Sequence, residues 1–81
     1  MKLPSKEYYS RFKKLSNKDQ LEMIDLYRRS HRIDTYYKTA LLRFDDRLEL
    51  TEISERLKIN ITTVYKRLRR FSYKIYNIKK Y

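Results

Sequence analysis

The fold is decided by residues 50–70, which read LTEISERLKINITTVYKRLRR. Ile53 and Leu57 lie four residues apart, so both fall on one face of a short helix. Val64 and Leu68 repeat that spacing in a second helix, and only a short connection separates the two. The pattern therefore predicts a pair of helices that cross at a steep angle.

The second helix of this pair has the cleanest periodicity in the chain. Its apolar residues recur at steps of three and four, which is the period of a helix with one buried face. The stripe predicts a helix that begins at residue 61, reaches about residue 72 and extends to 78. Residues 71–78 also alternate enough to form a strand, but the unbroken stripe and the absence of glycine favour the helix. The members of the stripe are Ile61, Val64, Leu68, Phe71, Ile75 and Ile78.

Three further helices are predicted upstream, over residues 5–14, over 17–30 and from Asp34 to about residue 47, before a short helix over 51–58. The chain is thus expected to form a single all-α domain of four or five helices. The predicted inward side chains are Tyr8, Phe12, Leu15, Leu21, Ile24, Tyr27, Tyr37, Ala40, Leu41, Phe44 and Leu48. The predicted N-caps are Ser16, Asp34, Thr51, and either Asn60 or Thr62 for the last helix.

Positive charge is concentrated at one end of the sequence. The 81 residues carry 21 basic and 10 acidic side chains, for a net charge of +11. Residues 1–55 hold 12 basic and 10 acidic residues, whereas residues 56–81 hold nine basic residues and no acidic one. A surface that served only solubility would mix the two signs. The asymmetry therefore indicates a polyanionic partner, of which nucleic acid is the commonest, with an incidental basic tail as the alternative.

Composition excludes several classes of site. The chain has no cysteine, no glycine and one histidine, His31, which excludes disulfides, thiolate zinc sites and glycine-rich phosphate loops. The carboxylates of Asp45, Asp46 and Glu49 are expected to be solvated, because nothing near them completes a metal or catalytic site.

No apolar run approaches the roughly 20 residues that span a bilayer, and the N-terminus lacks the apolar stretch of a signal peptide. We expect a cytoplasmic, nucleoid-associated protein that is not an enzyme and needs no cofactor.

Residues 50–70 resemble the helix-turn-helix of bacterial, archaeal and phage transcription regulators, including sigma-factor region 4. The resemblance covers about a quarter of the chain and includes ITTVYKRL, residues 61–68, as the recognition helix. Within it, Ser54 is small enough for close helix approach, Ile59 fills the turn, and Lys58 stands where the family usually has glycine. A lysine there must adopt a left-handed conformation or reshape the turn, at a cost of roughly 1 kcal/mol.

The resemblance implies sequence-specific binding of double-stranded DNA, with a helix-turn-helix over about residues 50–72 and helix 61–72 in the major groove. Lysine and arginine can donate to guanine N7 and O6, and threonine can bond a base edge or touch a thymine methyl group. The residues expected to contact bases are Thr62, Thr63, Lys66 and Arg69. The residues expected to contact phosphates are Thr51, Arg56, Tyr65, Arg67, Arg70, Tyr73 and Lys74.

Several alternatives remain at this stage. The protein is expected to be a small transcription regulator of a prokaryote or mobile element, and Ile75 and Ile78 in a helical extension over 73–81 offer a homodimer contact. It could instead be a DNA-handling accessory factor of a phage or plasmid, active in packaging, maintenance or recombination with a partner enzyme. A protein-interaction module that docks on RNA polymerase has the same basic face. An ordinary helical hairpin with a basic surface is the simplest alternative.

Overall fold

A computed structural model describes residues 5–30 and 33–78, which form five helices and no strand. The third helix continues without a break into a wider π-helical turn, Leu41–Asp45, in which the Asp46 N–H donates to the Leu41 carbonyl at 3.0 Å. None of the described helices is long and apolar enough to cross a bilayer. The helices are α1 Ser5–Lys14, α2 Asn17–Ser30, α3 Thr35–Ala40 with its π turn, α4 Leu50–Leu57 and α5 Ile61–Ile78.

The all-α prediction is confirmed, and the strand alternative for residues 71–78 is wrong, because α5 is helical to Ile78. His31 and residues 79–81 of the predicted extension lie outside the described residues.

Local side-chain bonds explain where the helices begin. The Asp19 N–H donates to Ser16 Oγ at 3.2 Å, which confirms Ser16 as a cap. The Tyr37 N–H donates to Asp34 Oδ1 at 2.9 Å, and the Thr62 N–H to Asn60 Oδ1 at 2.8 Å. The predicted caps at Asp34 and Asn60 are therefore also confirmed.

The predicted cap at Thr51 is wrong. Helix α4 begins one residue earlier, and Glu49 is its N-cap. The Glu49 N–H donates to Glu52 Oε1 at 3.1 Å, and the Glu49 side chain accepts the backbone N–H of Glu52. This reciprocal capping box satisfies two N–H groups at once, so it outcompetes a single threonine hydroxyl one residue further along.

Helix α5 is the centre of the molecule, because each of the other four helices packs against it. Its stripe is fully buried at Val64, Leu68, Phe71 and Ile75, as the periodicity predicts. Ile61 is instead 41% exposed, since the first residue of the helix extends past the edge of the core. Because Ile75 is buried in the chain's own core, it is not available for the predicted dimer contact, and Ile78 is only half-buried.

The inward face of α1 carries Tyr9 and not the predicted Tyr8. In α1 the structure buries Tyr9 and Phe12, whereas the predicted Tyr8 is only half-buried. Leu15, just after the helix, is half-buried and packs against the core as predicted. Positions 9 and 12 are three residues apart and share a face just as positions 8 and 12 do. With two adjacent tyrosines, periodicity alone does not choose between them.

Candidate nucleic-acid interface

The connection between α4 and α5 is a left-handed turn at Lys58, where φ is 56° and ψ is 46°. The Lys58 N–H donates to the Glu55 carbonyl at 3.3 Å and the Ile59 N–H to the Ser54 carbonyl at 3.1 Å. These two bonds form a Schellman motif, which satisfies carbonyl groups at the end of α4. Ser54 Oγ adds a 2.6 Å bond to the Ile59 carbonyl, and Ile59 packs against the core. The left-handed alternative expected for Lys58 is confirmed.

The outer side of α5 carries a polar strip that no other helix covers completely. Thr62, Lys66 and Arg70 are exposed at successive turns, and Asn77 continues the strip towards the end of the helix. Thr63 is half-buried beside them. The strip begins at the capped N-terminus of α5, so its first side chains protrude beside the Lys58 turn.

Arg69, predicted as a base contact, is held to one side of this strip. Its guanidinium lies over the ring of Tyr65, with Cζ 4.8 Å from the ring centroid. Tyr65 in turn meets Tyr9 of α1 edge to face at 5.5 Å, and Lys13 Nζ lies 4.6 Å from the centroid of Tyr9. Two cations and two aromatic rings thus form a continuous row, Lys13–Tyr9–Tyr65–Arg69, that joins α5 to α1.

The residues predicted to contact phosphates fall into separate surroundings. Arg70 and Tyr65 are exposed, while Arg67 and Tyr73 are half-buried. Lys74 lies 5.0 Å from the ring centroid of Tyr36, on the side of α5 covered by α3.

On α4, the predicted phosphate contacts Thr51 and Arg56 are exposed. Glu52 and Glu55 are exposed on the same helix, so α4 is less cationic than α5.

Helix α1 supplies basic residues that the sequence analysis missed. Its exposed cations are Lys6, Arg11, Lys13 and Lys14, against one acid, Glu7. This helix packs more extensively on α5 than any other does, and Tyr8 contacts the rings of Tyr73 and Tyr76 at 5.5 and 5.6 Å. A count over residues 1–55 hides this basic helix, because it adds α1 to the neutral α2 and to the acidic segment 33–55. A count for each helix separately identifies it.

Among the described residues, the cations of α1, α4 and α5 have no carboxylate partner. Within residues 5–30 and 33–78, the ion pairs are those of Asp25 with Arg28 and Arg29, both at 3.2 Å and both on α2. The charges beside the exposed strip are therefore not neutralised by the described part of the chain. Burial raises the pKa of Tyr9, against a smaller opposing effect of Arg43, so the ring beside Lys13 carries no negative charge near neutral pH.

The described residues include no cluster of three or more histidine or acidic side chains that could hold a metal ion. No family model, curated protein or solved structure matches the chain. The assignment of a function therefore depends on the geometry and charge of the surface.

Proposed function

We propose that the protein binds double-stranded DNA through the exposed strip of α5 and acts as a small transcription regulator, with α4 and α5 as a helix-turn-helix. The observation that carries the proposal is the cationic surface around that strip, where Lys66 and Arg70 are exposed and no carboxylate of the described residues lies within 4.0 Å of them. DNA carries one negative charge per roughly 1.7 Å of its axis, so such a surface fits its backbone and grooves.

The chemistry of the strip divides between reading bases and holding phosphates. Thr62 and Lys66 lie in the first turns of α5, and their exposure supports contact with base edges in a major groove about 12 Å wide. Arg70 lies one turn further on and is suited to a phosphate. Arg69 stacks on Tyr65, so we assign it to positioning against α1 and the flanking backbone before any base.

The experiment is selection of bound duplexes from a random-sequence pool at 150 mM salt with excess competitor DNA. Recovery of one motif is expected, and Lys66→Ala should relax the base preference at one position, by about 1–3 kcal/mol of discrimination. Lys18→Ala is the matched control, because Lys18 is an exposed cation on α2 and its loss removes the same charge elsewhere. It should leave the motif unchanged.

A second readout is the dependence of affinity on salt. With roughly six to nine phosphate contacts, affinity should fall about 10³-fold or more between 50 and 200 mM salt. A complex that is insensitive to salt would contradict the proposal. Failure to recover any motif, together with binding to an acidic protein partner, would favour the docking module over the sequence reader.

A further inference from the structure

A cleft of about 660 Å³ lies between the α1–α2 turn and the segment that joins α3 to α4. Three cations line it from three separate parts of the chain: Lys13 near the end of α1, Arg43 in the π turn and Arg47 in the bend that follows. A single carboxylate, that of Glu49, lies among them, and it is engaged in capping α4. The cleft thus has an excess of positive charge that the described residues do not neutralise.

Arg43 is the cation of the cleft whose side chain is hydrogen-bonded to the backbone. One terminal nitrogen of its guanidinium donates to the Leu48 carbonyl at 3.0 Å, which fixes the side chain against the α3–α4 segment. Its Nε is buried and has no hydrogen-bond partner among the described residues. The Tyr9 hydroxyl also lies beside this guanidinium. Arg43 is half-buried and lines the cleft, and among the described residues it has no carboxylate partner, so a bound anion would supply the missing counter-charge.

The walls of the cleft are held in place by neutral groups. The amide nitrogen of Asn17 donates to the Phe44 carbonyl at 3.4 Å, and that of Gln20 to the Phe12 carbonyl at 3.2 Å. These bonds tie the start of α2 to the end of α1, 8 residues away, and to the π turn after α3, 27 residues away. The cations are consequently displayed on a fixed frame, which lowers the ordering cost of binding.

The cleft is connected to the strip on α5 through Lys13. This residue borders the cleft and also begins the row Lys13–Tyr9–Tyr65–Arg69, which ends on α5 one turn from Lys66. A duplex whose major groove receives α5 would place a flanking strand along this row. The cleft is open to solvent on one side, which suits a phosphate diester that enters and leaves as part of a polymer.

We infer that this cleft binds a phosphate group of the DNA backbone beside the groove occupied by α5. The inference rests on the proposed function, and it assigns to Lys13, Arg43 and Arg47 a role in affinity but none in base preference. It extends the DNA interface from α4 and α5 to a surface formed by α1, α2 and the α3–α4 segment.

The test uses Lys13→Gln and Arg47→Asn in the full chain, with Lys18→Gln as the control. Asparagine tolerates the left-handed backbone of Arg47, where φ is 58°, so Arg47→Asn removes the charge and keeps the bend. Each cleft variant should lower the slope of log affinity against log salt by about 1, equally for all duplex sequences. The cleft variants could instead have the same salt slope as Lys18→Gln while Lys66→Ala still alters the selected motif. That result would overturn the assignment of a phosphate to the cleft and leave the proposed function standing.

A second measurement separates a backbone phosphate from a free one. Titration of the unbound protein with inorganic phosphate, followed by the NMR signals of the Arg43 and Arg47 side chains, reports binding in the cleft without DNA. Shifts on adding duplex that exceed those at the same concentration of phosphate support the backbone assignment. Shifts with phosphate alone, in a protein that does not bind duplex, would overturn both the DNA assignment and the proposed function.

Discussion

The left-handed turn at Lys58 leads to a stability prediction that does not depend on function. An L-residue in this conformation costs roughly 1–2 kcal/mol, because Cβ approaches the following carbonyl oxygen. Glycine removes that cost, but its extra freedom in the unfolded chain offsets about 0.4–1 kcal/mol of the gain. Since φ at Lys58 is 56°, we expect Lys58→Gly to raise the free energy of unfolding by about 0.8 kcal/mol net, the difference between the midpoints of these two ranges.

The assay is urea and thermal unfolding followed by helical circular dichroism, with Lys58→Ala as the matched control. Alanine removes the same charge but keeps Cβ, so the difference between the two variants excludes the effect of the charge and reports the left-handed cost less the unfolded-chain freedom of glycine. For a domain of this size, 1 kcal/mol corresponds to about 4–8 °C in the melting temperature. The backbone bonds of Lys58 and Ile59 that close the turn are retained in both variants. If Lys58→Gly is no more stable than Lys58→Ala, the turn is not left-handed and the reasoning fails.

Three further predictions concern the core and the caps. Asp34→Ala removes the acceptor for both the Tyr37 N–H and the Tyr27 hydroxyl, at 2.9 and 2.8 Å, and should destabilise by roughly 1–3 kcal/mol in urea unfolding; Asp34→Asn should recover part of this loss. Burial, and then the hydrogen bond to Asp34, raise the pKa of Tyr27 above its ordinary value of 10.0. The folded chain therefore keeps the Tyr27 proton at a pH where the unfolded chain loses it, so the free energy of unfolding should fall as pH rises above about 10. Tyr27→Phe should show a shallower alkaline decline. An equally steep decline in that variant would contradict the assignment of the effect to Tyr27. Leu68→Ala deletes a fully buried side chain and should cost about 2–5 kcal/mol, and a cost below 1 kcal/mol would show that α5 is not the centre of the core.

The features that the sequence predicted well are those fixed by neighbouring residues. Ser16 and Asp34 begin their helices because a short side-chain oxygen reaches an N–H group a few residues on, and that signal is local. The stripe from Val64 to Ile75 is likewise a property of one helix. The left-handed alternative for Lys58 follows from the lack of glycine in a turn that needs positive φ.

The features that the sequence did not predict depend on how the helices pack against one another. Periodicity predicts which face of each helix is buried, but it does not predict which helices pack together. The contact between Tyr9 of α1 and Tyr65 of α5 therefore has no signal in the sequence. The bond from Asn17 to the Phe44 carbonyl joins residues 27 apart, and the bond from Gln20 to the Phe12 carbonyl crosses from one helix to the next, so neither leaves a pattern within one helix. The cleft exists only because these contacts bring the ends of three helices together.

Helix α5 carries both the centre of the core and the strip that we propose to contact DNA. The buried residues Val64 and Leu68 alternate within the same turns as the exposed Thr62 and Lys66, so the core fixes the direction in which the strip faces. A helix is rigid over a few turns, and a small loss of packing therefore lowers the folded population before it changes the geometry of the strip. Leu68→Ala should accordingly leave the motif and the salt slope unchanged at temperatures where the variant is still folded. If instead the motif changes while the helical signal is intact, the packing of α5 itself sets base preference, and the strip cannot be treated as a set of independent contacts.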